Sequence, residues 1–177
     1  MQIHRGFTIV ELMVTLAVVA ITSSIAAPPL YHLALDNRRA SNVNELVGQL
    51  QYARSEAITR NSDVVVCPSA SGEDCEEITW ESGWISFADP NGNAAVDPDE
   101  TVLKIADAIH GATFTSAEFA GFLRFRWNGR VMADNPGEFT VCDERGAKYA
   151  RVVQLDLAGR PVVSPHLLDG SDPVCPE

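Results

Sequence analysis

Glu11 is the only ionisable side chain in residues 7–30, F-T-I-V-E-L-M-V-T-L-A-V-V-A-I-T-S-S-I-A-A-P-P-L. A carboxylate inside an apolar helix costs roughly 2.5 to 3.5 kcal/mol on insertion scales, so an acid kept there is a functional candidate that needs a partner. A second set with chemical potential is Asp89, Asn91, Asn93, Asp97 and Glu100, which stand at the first, third, fifth, ninth and twelfth places of a calcium loop. Ala94 occupies the sixth place, where such loops need glycine, and the flanks read as strands. A hairpin loop built from Asx turns is therefore favoured over calcium binding. Arg124, Arg126 and Arg130 cluster near one turn signal, and Arg160 with Lys148 would extend them into a weak phosphate-binding patch. Alternating arginines are more commonly a solvated sheet face. Cys67, Cys75, Cys142 and Cys175 lack the Cys-x-x-Cys spacing of a zinc site. His32, His110 and His166 have no motif around them, so no nucleophile, base and orienting group stand together. The expectation is a protein without enzymatic activity and without a cofactor.

The elements that must position these groups follow from pattern. Thirteen Lys and Arg against 24 Asp and Glu leave a net charge of −11 over 177 residues, which repels polyanions and disfavours DNA as a partner. Residues 61–103 carry acids but no Lys or Arg, and Arg160 is followed by Pro161-Val162 with no further base. The length suits one modest domain with an appendage. Residues 7–30 match the roughly 20 residues of a bilayer-spanning helix. His4 and Arg5 before them place the N-terminus in the cytoplasm and the remainder outside. In that oxidising setting an even number of cysteines reads as disulfides. A removable secretory signal cut after Ser24-Ile25-Ala26 is the competing reading, and it leaves Glu11 unexplained.

Beyond residue 30, Val43, Leu46, Val47, Leu50, Ala53, Ala57 and Ile58 recur in steps of three and four, one face of a helix. Asn61 and Ser62 supply its stop, giving a helix from residue 7 to about residue 60, about 80 Å long, that Pro28 and Pro29 should bend or locally open. The remainder predicts strands at 63–67, 83–87, 101–105, 122–127, 138–142 and 151–157, rich in β-branched and aromatic residues. Leu123-Arg124-Phe125-Arg126-Trp127 and Val153-Gln154-Leu155-Asp156-Leu157 alternate cleanly, so each should have one buried and one wet face. Trp127-Asn128-Gly129-Arg130 is a hairpin signal. The predicted fold class is α+β, a long N-terminal helix packed on antiparallel β-sheet.

Gly6 followed by Phe7, then Thr8-Ile9-Val10, Glu11, Leu12, an apolar tail and Pro28, resembles the class III signal of type IV prepilins and type II secretion pseudopilins. The resemblance implies a leader over 1–6, cleavage by prepilin peptidase between Gly6 and Phe7, and N-methylation of Phe7. It implies that residues 7–30 are a transmembrane and later filament-core half-helix, and that 31–177 form a periplasmic pilin domain, helical to about 61 and then β-rich. In the family the acid at the position of Glu11 attracts the new N-terminal amine of a neighbouring subunit, two groups that are each expensive in lipid. A second resemblance, to the GspH/FimT family, rests on Gln51-Tyr52-Ala53-Arg54-Ser55-Glu56-Ala57, Val66-Cys67-Pro68-Ser69, Gly83-Trp84-Ile85-Ser86-Phe87-Ala88-Asp89, Asn91-Gly92-Asn93, Phe139-Thr140-Val141-Cys142-Asp143 and Gly159-Arg160. It implies the type IV pilin fold and a FimU-type minor pilin of a tip or priming complex, residing in the inner membrane and then in the extracellular pilus. Its expected partners are prepilin peptidase, other minor and major pilins and the inner-membrane assembly platform. A GspH-type pseudopilin of type II secretion and a FimT-like DNA-uptake pilin are the alternatives. Of the three possible disulfide pairings, Cys67–Cys75 with Cys142–Cys175 is favoured, since the second would tie a Pro-rich tail to a strand.

Overall fold

The computed structural model describes residues 7–133 and 135–176, with only the backbone of 25–28. The expected leader, Gly6 included, lies outside the described residues. The chain divides into two compact units, residues 1–38 and 39–177.

Helix α1, Ile9–Arg60, starts at Thr8, whose hydroxyl accepts the Glu11 amide at 3.2 Å while its carbonyl accepts the Leu12 amide at 3.1 Å. Thr8-Ile9-Val10-Glu11 has the T-x-x-E spacing of a capping box, and an acid in the first turn complements the helix dipole. Along the apolar stretch, Phe7, Ile9, Val10, Leu12, Met13, Val14, Leu16, Val18, Val19 and Ile21 are all exposed. The hydroxyls of Thr15, Thr22 and Ser24 donate back to helix carbonyls three or four residues earlier, so these polar groups are satisfied within the helix. The helical assignment runs through Pro28 and Pro29, with a bent break between Ile9–Ser24 and the piece that begins at Pro29. Among the described residues no single helix is long and apolar enough to cross a membrane. The bent pair taken together has the length and composition to do so.

In the second unit, α1 ends at Asn61 in the left-handed region, φ 51°, with the Ser62 amide returning to the Ala57 carbonyl. This is a Schellman-type stop. Two antiparallel four-stranded sheets follow. The first has the order β3-β2-β1-β5, with β1 at Val64–Pro68, β2 at Trp84–Ala88, β3 at Val102–Ala106 and β5 at Leu123–Phe125. The second has the order β4-β6-β7-β8, with β4 at Ala112–Thr115, β6 at Gly137–Asp143, β7 at Arg151–Leu155 and β8 at Pro161–Ser164. Six of the eight strands fall on the sequence-predicted segments. β4 and β8 escaped because β4 has a single large apolar residue, Phe114, and β8 begins with Pro161, which only an edge strand tolerates.

The helix face Val43, Leu46, Leu50, Ala53 and Ala57 packs in one cluster with Val64, Val66, Trp84, Leu123 and Phe125 of the first sheet and Phe114, Phe139, Val141, Val153 and Leu155 of the second. Ile58, expected on this face, is 47% exposed, and Val47 lies partly buried at the edge. The opposite face of β1 is also dry. Val65 and Cys67 join Ile85 and Phe87 in a second cluster, covered by Cys75, Ala94, Val96 and Val102. β1 is therefore buried on both faces, which explains its unbroken run Val64-Val65-Val66.

Disulfides join Cys67 to Cys75 and Cys142 to Cys175. The second spans 33 residues and holds the C-terminal tail on β6. Replacing both of its cysteines by serine is expected to lower stability by about 2 to 4 kcal/mol, through the entropy of the unfolded chain. The drop is read as a lower denaturation midpoint. The bridge spanning only 8 residues should contribute less.

Candidate functional site

Glu11 sits one turn into a helix whose described neighbours from Phe7 to Ile21 are apolar or internally satisfied, so its charge stands alone on an exposed hydrophobic surface. Residue-type spacing identified this acid. The Thr8 cap was missed, although T-x-x-E before an apolar run is a legible signal.

The five residues of the candidate calcium loop are brought together, but as a hydrogen-bonded turn. Asp89 is fully buried, and its carboxylate accepts the amides of Gly92 at 2.8 Å, Asn93 at 3.1 Å and Ala94 at 3.0 Å. Asp97 Oδ2 accepts both Asn91 Nδ2 at 2.7 Å and Asn93 Nδ2 at 2.8 Å. Glu100 accepts the Asp97 amide at 3.1 Å. Burial lifts the Glu100 carboxyl above its usual range against that bond, and the charges of Asp89, Asp97 and Asp99 add to the rise. Ala94 adopts φ 60° where a glycine would be relaxed. Among the described residues no group of three or more His, Cys, Asp or Glu converges on a metal position. The loop's visible work is structural: it lays Ala94 and Val96 over the second apolar cluster.

The arginine patch is not one surface. Arg124, expected on a wet face, is buried at 8% exposure, because β5 pairs it with Val65 on the face that the 89–97 loop covers. Its Nη2 lies 3.0 Å from Asp89 Oδ2. The alternating pattern misled here because the far side of the sheet is roofed by a loop from elsewhere in the chain. Arg160 pairs with Asp156 at 2.7 Å. Lys148 lies over the Tyr149 ring, apart from this group in the chain. Arg126 and Arg130 remain exposed and face one another across a turn closed by Arg126 N–H to Arg130 O at 2.8 Å and Gly129 N–H to Arg126 O at 2.7 Å. The hairpin signal at Asn128-Gly129 thus yields a turn with the isolated bridge of Phe125 to Val131 in place of a long ladder. Arg54, marked in the sequence only as part of the motif Gln51 to Ala57, holds this turn by donating Nε to Gly129 O at 3.1 Å and to Ala158 O at 3.0 Å. A Cβ at Gly129 would stand 2.7 Å from Ile58 Cδ1, the free end of an exposed side chain that can move aside, so it is the backbone, at φ +76°, that calls for glycine.

A hollow of about 730 Å³ lies beside β4 and is lined by Glu81, Thr113, Thr115, Glu144, Cys175 and neighbouring backbone. The Glu81 carboxylate accepts the Phe114 amide at 3.2 Å, covering one donor on the outer edge of β4. Within the same region the Asp143 side chain is largely covered, which raises its carboxyl, yet hydrogen bonds from the Arg145 side chain and amide outweigh burial and hold it below its usual range.

Residues 42–159 match the family model described as type II transport protein GspH, and residues 1–27 match the prokaryotic N-terminal methylation motif. The pilin-like protein PilA1 of Thermus thermophilus is 34% identical over 99 residues, 55% of this chain and 56% of that protein. The chain therefore spans about half the length of the curated relative it matches. Crystal structures of the type IV minor pilin FimU of Pseudomonas aeruginosa are similar in two space groups. One gives a TM-score of 0.59 at 23% identity, covering 73% of this chain and 90% of that one. The other gives 0.57 at 23% identity, covering 71% and 92%. At that identity the likeness is one of fold, a long N-terminal helix on antiparallel sheet.

Proposed function

Because the chain belongs to the family described as type II transport protein GspH and opens with an N-terminal methylation motif, we propose that it is a minor type IV pilin. Prepilin peptidase removes residues 1–6 by cutting between Gly6 and Phe7, and Phe7 receives the methyl group. Before assembly residues 7–30 anchor the protein in the inner membrane, with 31–177 in the periplasm. The observation that carries the reading is the isolated Glu11 carboxylate on an exposed apolar helix. Cleavage creates an amine at Phe7 of a neighbouring subunit, and pairing the two charges in low dielectric offsets a penalty that each bears alone. The apolar helices then bury one another in the filament centre. The subunit serves in a tip or priming complex with other minor and major pilins on the inner-membrane platform, and its work is structural, with no cofactor. The likeness to FimU supports the pilin fold on which this rests. A type II secretion pseudopilin is the second reading, favoured by the family description. DNA uptake loses support, since Arg124 and Arg160 are engaged by Asp89 and Asp156.

Gly6→Val tests the processing step. The variant is expected to accumulate in the membrane as uncut precursor, heavier by residues 1–6 and without a methylated Phe7, as mass spectrometry would read. A wild-type protein that begins at Met1, or that is cut after Ala26, would overturn the reading.

A further inference from the structure

Arg126, Arg130, Val131, Met132 and Ala133 line a hollow of about 420 Å³ at one end of the first sheet. Trp127 beside it and Met132 within it are both more than half exposed. The hollow is held by bonds from several directions. Arg54 donates to Gly129 O, the Trp127 amide donates to Asp63 at 3.1 Å, the Val131 amide to Leu157 O at 3.2 Å and the Met132 amide to Arg124 O at 2.9 Å. A site fixed in this way loses little freedom on binding. Arg60, Arg124, Arg145 and Arg160 each sit within 3.0 Å of a carboxylate of their own chain, whereas Arg126 and Arg130 have no acid partner among the described residues. Two guanidiniums without an acid partner among the described residues, beside Trp and Met, form a surface suited to carboxylates with an adjoining apolar side chain.

The complementary surface is on the same molecule. The loop Glu73-Asp74-Cys75-Glu76-Glu77-Ile78 is clamped by Cys67–Cys75 and by the Glu76 amide bond to Pro68 O at 2.9 Å, and Glu73, Asp74 and Glu77 are exposed. It leaves the Pro68 end of β1, whereas Asp63, which holds the arginine turn, precedes the Val64 end. The two patches thus lie at opposite ends of a strand about 16 Å long and do not neutralise one another within one chain. We propose that the Arg126/Arg130 hollow docks the 73–78 loop of a second copy of this chain, head to tail along the first sheet. A contact between two different patches propagates instead of closing on itself, and it holds whether or not the pilin reading is correct. A nucleic-acid phosphate chain is the weaker occupant, since two free cations offer only about two phosphate contacts against a net charge of −11.

The test uses the full chain in detergent micelles at low salt, with mass followed against concentration by sedimentation. Concentration-dependent association is expected, with the dissociation constant raised about tenfold or more by Arg126→Glu with Arg130→Glu. Mixing that variant with one carrying Glu73→Lys, Asp74→Lys and Glu77→Lys should restore association, which separates this contact from any pairing of the apolar helices. Unchanged melting of both variants shows that they fold. A monomer at every concentration, an Arg variant that associates like the wild type, or no recovery on mixing would overturn the proposal. So would an arginine-dependent shift of duplex DNA without self-association.

Discussion

Asp89→Asn is expected to destabilise the β-rich unit by about 3 to 5 kcal/mol, the range for breaking a buried charge pair from one side. The carboxylate is fully buried, takes three loop amides and lies 3.0 Å from Arg124 Nη2. An asparagine has one acceptor oxygen where the carboxylate has two, so part of the amide set loses its partner. Arg124 then stays at 8% exposure without a counter-charge, and its Nε is already without a hydrogen bond. The loop that Asp89 organises is also the roof over Val65, Ile85 and Phe87, so loosening it admits water to an apolar cluster. Denaturant midpoints read the loss. Arg124→Met should cost less, because the carboxylate it leaves buried keeps its three loop amides as partners. In the double variant the two costs should fall short of their sum, the signature of a coupled pair. If Asp89→Asn shifts stability by less than about 0.5 kcal/mol, as an ordinary surface change would, the keystone role of this carboxylate is wrong.

Glu11→Val should act in opposite directions on two measurements. Membrane insertion becomes easier, by roughly 2.5 to 3.5 kcal/mol on insertion scales, because the one charge in the apolar stretch is gone. On the proposed pairing, incorporation into pili should nevertheless fall to background in sheared-fibre fractions, since the amine of a neighbouring subunit would no longer meet a carboxylate. Glu11 also occupies the first turn of α1, where its amide is bonded to the Thr8 hydroxyl at 3.2 Å. A loss of assembly from a weakened helix start is therefore a separate explanation. Thr8→Val distinguishes them, because it removes the cap, worth about 1 kcal/mol, and keeps the acid. Normal incorporation of Thr8→Val beside failure of Glu11→Val assigns the effect to the charge. Normal incorporation of Glu11→Val would sink the pairing account.

Much of this protein was legible from local pattern. The apolar stretch with Glu11, the amphipathic run from Val43 to Ala57 and its stop at Asn61 depend on spacing along one helix, and spacing is what a sequence displays. Six strands were legible for the same reason, since β-branched and aromatic residues concentrate where a pleated strand has at least one face to bury. The hairpin at Asn128-Gly129 was legible as a turn, but its role as the seat of Arg54 was not, because the carbonyls that Arg54 binds lie 75 and 104 residues further along the chain.

The sequence by itself determined that an acid would stand in an apolar helix, that an amphipathic helix face would pack on antiparallel strands, and that charge would be predominantly negative. Only the tertiary structure decided what each arginine does. Arg124 and Arg126 are two residues apart and share one alternating pattern, yet the first is buried on Asp89 and the second faces solvent. What separates them is a loop that ends the first sheet's far side as an apolar cluster beneath Ala94 and Val96. The state of a charged group is set by the charges and the dielectric around it, and those are supplied by neighbours in space that spacing along the chain does not name.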